Sequence, residues 1–155
     1  MAETNLETIL EKLEAAIKAG VPPQARVVRN ATEAELEELS DWGFVNIEDG
    51  EQGDVTPLLG VPRLYEWVWL ATIEVISRKM ENPPLSNVGL CKAIIEAVEV
   101  DRRLGIPEIV SDVVITLTRR SHEAEVGEGG EIGGDVFIVS ILTATIEFES
   151  DSPVG

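Results

Sequence analysis

Two runs patterned as β-strand, Leu64 to Arg78 and Asp135 to Glu149, constrain this chain more than any other feature. At ~3.3 Å per residue either run spans about 50 Å, against a usual strand of about 5 or 6 residues. Strands so long are expected to reach beyond the core of a small domain toward something else. In the first run Tyr65, Trp67, Trp69, Ala71, Ile73 and Val75 recur on one side at period two. The other side, with Glu66, Val68, Leu70, Thr72, Glu74 and Ile76, is only half polar. A strand apolar on both faces near its middle needs cover on both. One helix layer covers one face, so the other calls for a second layer or a neighbouring subunit.

The remaining segments read as elements around these two strands. Thr4 and Glu7 have the spacing of a capping box, and Leu6, Ile9, Leu10, Leu13, Ala16 and Ile17 follow at helical spacing until Gly20 and Pro22-Pro23. Arg26 to Arg29 predicts a short edge strand, and Thr32 with Glu35 a second capping box opening a short acidic helix to Leu39. Trp42 to Glu48 predicts a strand, after which Gly, Pro and acids mark 49–62 as a long exposed loop. Ser86 is placed to cap a helix over Val88 to Leu104, with Leu90, Cys91, Ile94, Ile95 and Val98 as its apolar stripe. Val110 to Arg120 reads as a strand, 121–134 as a flexible acidic, glycine-rich hairpin loop, Val136 to Glu149 as the closing strand and 150–155 as a short tail. The expected fold is one α+β domain over 1–155: an antiparallel sheet of about four strands, two main helices on one face, and long hairpins.

Composition narrows the function classes. The chain has 155 residues with 29 acids against 12 bases, a formal net charge of -17. A clustered basic surface is what counterion-release binding requires, so nucleic acid and anionic lipid are excluded as expected partners. The N-terminus is acidic where a secretion signal is basic, and no apolar stretch approaches the ~20 residues of a membrane helix. A single cysteine, Cys91, leaves no intrachain disulfide. Together these point to synthesis in a reducing cytoplasm.

Candidate chemistry is sparse. His122 is the only histidine, beside Arg119 and Arg120, and reads as an exposed hinge residue. Cys91 falls on an apolar helix stripe, where a thiol is inert. Asp49, Glu51 and Asp54 lie close enough to share a cation but lack the alternation and the terminal glutamate of an EF-hand. The run Gly127 to Gly134 resembles a phosphate loop without its lysine, and Glu128 and Glu131 within it repel phosphate. No nucleophile elbow, triad or zinc-type pair occurs, so no catalytic, cofactor or metal residue is assigned and the chain is expected not to be an enzyme. Trp67 and Trp69 share a strand face and suit core packing, a ligand pocket or a subunit interface.

The arrangement resembles that of the tail terminator or tail completion proteins of long-tailed bacteriophages, prophages and gene transfer agents. The residues that carry the resemblance are the helix Leu6 to Ile17, the strand around Trp67 to Val75, the helix Val88 to Leu104 and a closing strand ending Ala144-Thr145-Ile146-Glu147-Phe148. The acidic helix at Thr32 to Leu39 and the proline-rich loop before Leu64 fit the family only loosely. The resemblance implies a homo-oligomeric ring, typically of six subunits, in the virion tail or neck. Such a ring caps the tail tube protein and meets the head-tail connector protein by binding, without cofactor or catalysis. Trp67 and Trp69 on their strand, Arg119, Arg120 and His122 at the hinge, and Glu128 and Glu131 in the loop are then the candidate contacts. An acidic lumen would let DNA pass without adhering, and neutralising it should hinder passage more than ring formation. The competing expectations are a small-ligand-binding or enzymatic cytoplasmic α+β domain, a cytoplasmic adaptor, or another phage neck or head-completion protein.

Overall fold

The computed structural model describes residues 4–32, 40–58, 64–126 and 132–151, with the backbone alone for 123–126 and 132–135. In chain order the elements are α1 (Asn5–Gly20), β1 (Arg26–Arg29), β2 (Phe44–Leu58), β3 (Leu64–Arg78), α2 (Asn87–Glu99), β4 (Val110–Val126) and β5 (Ile132–Ser150). The fold is α+β, with two helices and one five-stranded sheet in the order β1-β2-β3-β5-β4. The sheet is mixed: β1 pairs parallel to β2, and the other pairs are antiparallel.

Both helices begin where the sequence places a cap. Thr4 accepts a hydrogen bond from the Glu7 amide at 3.1 Å, and Ser86 accepts one from Gly89 at 3.0 Å. Each satisfies an amide that the first helical turn leaves without a partner. The α1 stripe Ile9, Leu10, Leu13 and Ile17 is buried, as are Leu90, Cys91, Ile94 and Val98 of α2. The helices touch at Gly20, where an added Cβ would stand 2.1 Å from the Ala97 Cβ, so any side chain there forces them apart. α2 ends at Glu99, short of the expected Leu104; turns follow, and Leu104 takes φ 54.

Four expectations about strands are corrected. The first long run is β3 to the residue, yet it does not overhang: β2 flanks one side, and β5 pairs the other from Tyr65↔Ser150 to Arg78↔Phe137 without a break. The expected loop over 49–62 is strand as far as Leu58, because main-chain pairing with β3 continues through two irregularities, Glu48/Glu51 and Gln52/Val55. Gly50 makes the first of these possible, with φ +81 and its Cβ position 1.8 Å from the Leu70 carbonyl oxygen. Likewise much of the expected loop over 121–134 is ribbon, β4 running to Val126 and β5 starting at Ile132. That ribbon passes the end of β3, so it is the part of the sheet that does overhang. The count of about four antiparallel strands becomes five, with β1 added in parallel. The expected helix at Thr32 to Leu39 falls on 33–39, outside the described residues.

Both helices lie on one face of the sheet, against Val45, Ile47, Trp67, Ala71, Ile73, Val75, Val113, Ile115, Leu142, Ala144, Ile146 and Phe148. No described helix covers the other face. There Leu70, Thr145 and Val114 share one transverse row, and Thr72, Thr143 and Thr116 the next. Val68 and Leu70 are half-buried and Val114 is 40% exposed. The expectation of a β3 strand apolar toward both sides holds; among the described residues the helices lie on one side, and on the other Phe44, Asn46 and Val139 are buried at one end.

A buried polar cluster fixes α2 to the sheet. The Asn87 side-chain amide donates toward Val75 O (3.1 Å), Ser77 Oγ (3.1 Å) and Ile138 O (3.2 Å), while its Oδ1 accepts from Ser140. Asn87 is 3% exposed and Ser140 fully buried, so removing the amide strands several polar atoms away from water. We predict that Asn87→Ala lowers unfolding free energy by about 2–3 kcal/mol, measured by urea denaturation. A loss no larger than that of an exposed substitution such as Lys92→Ala would remove the cluster's structural role.

Candidate interaction surfaces

The side chains singled out by sequence separate once folded. Trp67 is 2% exposed and stacks on Phe148, its direct cross-strand partner, with centroids 5.8 Å apart and planes 12° from parallel. It is core, which takes it away from any surface a partner reaches in this conformation. Its indole N–H is buried without a hydrogen-bond partner among the described residues. Trp69, two residues on, is half-buried and donates its indole N–H to the Asp49 carbonyl, tying β3 to the first irregularity of β2.

Asp49 is also the anchor of β1. Arg29 donates from Nε and Nη2 to the two Asp49 oxygens at 2.6 and 3.0 Å, and its Nη2 lies 3.5 Å from Glu7 of α1. The Arg29 hydrogen bond holds the Asp49 carboxyl below the ordinary carboxylate range, against an opposing push from burial. The bidentate geometry makes this pair more than a loose surface contact. Asp49 is thus committed to a structural pair rather than to the cation cluster weighed with Glu51 and Asp54. Among the described residues no group of three or more His, Cys, Asp or Glu side chains is placed to hold a metal ion.

Arg119 and Arg120 sit on the outer strand β4 and point to opposite faces. Arg119 pairs with Ile141 on the uncovered face, whereas Arg120 pairs with Ser140 and donates to its Oγ at 2.9 Å, extending the Asn87 cluster to the sheet edge. An irregularity between Leu117 and Arg119 sets this placement. Without it Arg119 would follow Leu117 onto the helix side. His122 is exposed opposite Ile138. Glu128 and Glu131 lie outside the described residues. Cys91 is buried beside Asn87, as its place on the helix stripe implies.

Sequence reading missed the groove between α2 and β4. Val88, Cys91, Ile95, Leu117 and Leu142 form its apolar wall, Lys92, Glu96 and Arg120 part of its rim, and its volume is about 430 Å³. Val88 is 58% and Leu117 49% exposed, so the β4 side of the molecule presents apolar surface beside cations. The signal available was Leu117 itself, an apolar residue on a strand whose covering helix had no obvious reach to the sheet edge.

The sequence matches no family model and no curated protein. Among the described residues no helix is long and apolar enough to cross a membrane.

The Arg29–Asp49 pair carries a pH signature. A carboxyl with a depressed folded pKa contributes stability that is present above its unfolded pKa and fades as pH falls through the folded one. Acid should therefore destabilise the native chain more than Asp49→Asn at pH values below about 4, with the two melting curves converging there. Thermal melts from pH 7 to pH 2 check this, and parallel pH profiles for the two proteins would refute it.

Proposed function

We propose that this chain is a structural assembly protein that forms a homo-oligomeric ring, caps a phage-type tail tube and joins it to the head-side connector. The observation that carries the reading is the sheet itself. Described helices cover one face, the other keeps Val68, Leu70 and Val114 as apolar surface although Phe44, Asn46 and Val139 at its far end are buried, and β4 forms one long edge. Such a molecule offers extended surfaces for protein contacts. Function is binding on this reading: the uncovered face and edges meet other copies, the tube and the connector. The overhanging β4–β5 ribbon is suited to reach along a tube. The phage-tail assignment itself rests on the order and patterning of elements noted in the sequence.

A second reading is favoured by the groove at α2 and β4, whose volume falls in the range of small-molecule sites, about 300–1,000 Å³. It is wide open to solvent and its polar groups are already engaged at Ser140, which suits an apolar protein side chain better than an oriented ligand. Light scattering of the purified chain, alone and with tail tube protein, separates the two. A mass near six times 16.8 kDa, alone or induced by tube, is the expected result. A monomer indifferent to tube, with a melting temperature raised by small apolar ligands, would replace the assembly reading with the ligand one.

A further inference from the structure

We propose that the outer edge of β4, with the groove beside α2, takes up an extended segment of another protein as an added antiparallel strand. The segment opens on two acidic residues against Arg119 and Arg120 and continues with apolar residues beside Leu117. The inference concerns a partner other than a second copy and stands or falls apart from ring formation.

β4 ends the sheet, with β5 on one side and no strand on the other. Between Val113 and Ser121 no backbone hydrogen bond reaches it from outside the sheet among the described residues. In an antiparallel ladder every second residue turns its N–H and C=O outward, so this stretch presents a row of unused donors and acceptors. Leu117 pairs with the buried Leu142 and so faces the helix layer, yet it is 49% exposed. Across the groove from it Val88 is exposed and Ile95 half-buried, which leaves the flank of α2 apolar and only partly covered. A strand laid beside β4 places every second side chain against Leu117 and that flank, extending the two-layer packing by one strand.

Charge gives the groove a direction. Asn87 at the start of α2 bonds Ser140, to which Arg120 also donates, and Arg102 just past the end of α2 pairs with Asp112 at 2.6 Å. α2 therefore runs along β4 from the Arg120 end to the Val113 end. Lys92 stands toward the arginines, and Glu96 and Glu99 stand toward the far end. Lys92 reaches Glu96 at 3.7 Å, an exposed and loose pair, whereas Arg119 has no ion-pair partner among the described residues. Between Val113 and His122 β4 carries no acid. A segment antiparallel to β4 meets the arginines with its N-terminal residues and Glu96, Glu99 and Asp112 with its C-terminal ones. The fitting partner thus begins acidic, is apolar at alternate positions and ends without an acid. The irregularity after Leu117 leaves Asp112 to Leu117 as the regular stretch for main-chain pairing, and the arginines bind by their side chains.

A second copy offers no such strand among the described residues. Its β4 would set Arg119 and Arg120 against their like, and its β1 carries Arg26 and Arg29. On β2 the Asp49 amide and carboxylate are taken by Asn30 and Arg29. β4 continues to Val126, so it runs into β1 when its arginines are set against Glu48 or Glu51. In a chain of net charge -17 this cationic edge is complementary to an acidic segment from elsewhere.

The test titrates the full chain with a synthetic peptide, Glu-Glu-Leu-Thr-Val-Thr-Lys with blocked ends, up to millimolar concentration, and follows backbone amide shifts by NMR. Saturable shifts should be confined to Val113 through Arg120 and to Val88 through Ile95, and salt should weaken them. Affinity should fall at least about tenfold when lysines replace the two glutamates, or when the chain carries Arg119→Glu. No saturable shift, shifts elsewhere on the molecule, or equal binding of the lysine peptide would overturn the proposal. Self-association that Arg119→Glu abolishes, with the peptide ignored, would give the edge to a second copy and overturn it as well. If Arg119→Glu does not fold, Arg119→Ala serves, and salt-independent binding of the peptide to the native chain is the overturning result. Light scattering reads the ring separately: a ring that ignores the peptide loses this contact alone, and a monomer that binds it loses the ring alone.

Discussion

Everything in this molecule is hung on the pairing of β3 with β5, unbroken from Tyr65↔Ser150 to Arg78↔Phe137. A one-residue slip in that ladder would exchange the two faces of both strands, putting Trp67, Ile73, Val75, Leu142 and Ile146 in water. The contrast between the faces prevents it. On the helix side the pairs are Trp67 with Phe148, Ala71 with Ala144 and Ile73 with Leu142; on the other they include Thr72 with Thr143 and Glu66 with Glu149. The neighbours β2 and β4 tolerate irregularities because the central pair already fixes the register. Irregularity is thus confined to strands whose outer sides meet solvent or a short edge strand.

The helices add cover and also decide which end of the sheet is rigid. α1 is held at its start by Asn5, whose amide donates to the Glu149 carbonyl at 3.1 Å, and through Glu7 to Arg29. α2 is held at its start by Asn87, near the opposite end of the β3–β5 ladder. Two anchors at the two ends, with the helices in contact at Gly20 and Ala97, clamp the ladder along its length. The β4–β5 ribbon beyond Arg78 lies past both anchors and depends on its own cross-strand bonds. Such a ribbon is the least stable part of a sheet taken alone, and so the part most easily reshaped by a partner.

What the sequence disclosed follows from which signals depend on neighbours. Thr4, Ser86 and the bounds of β3 were readable because caps and alternation are local. The segments 49–58 and 121–126 were misread as loops because glycine and acidic residues report solvent exposure, whereas what makes them strand is main-chain pairing with distant neighbours. Trp67 and Trp69 looked alike at period two; Phe148 across the ladder is what distinguishes them, and no local pattern points to it. Ser77, Asn87 and Ser140 form one cluster from three distant segments, each unremarkable where it stands. Arg119 and Arg120 were visible as a pair, but their placement turns on the irregularity after Leu117.

Charge resolves the tension between long open edges and solubility. An edge like β4, with Val114 and Leu117 exposed, invites indiscriminate pairing in any protein. Here every approaching copy carries the same large negative charge, which opposes contact in most orientations and is screened only beyond about 8–10 Å in physiological salt. Only an orientation that brings cations to carboxylates escapes that penalty, so repulsion acts as a filter on geometry as well as a solubility device. The irregularities of β2 and β4 sharpen the filter by denying a long regular ladder to an edge in the wrong register. In a sheet built this way charge and shape together leave few ways for another copy to use an open edge.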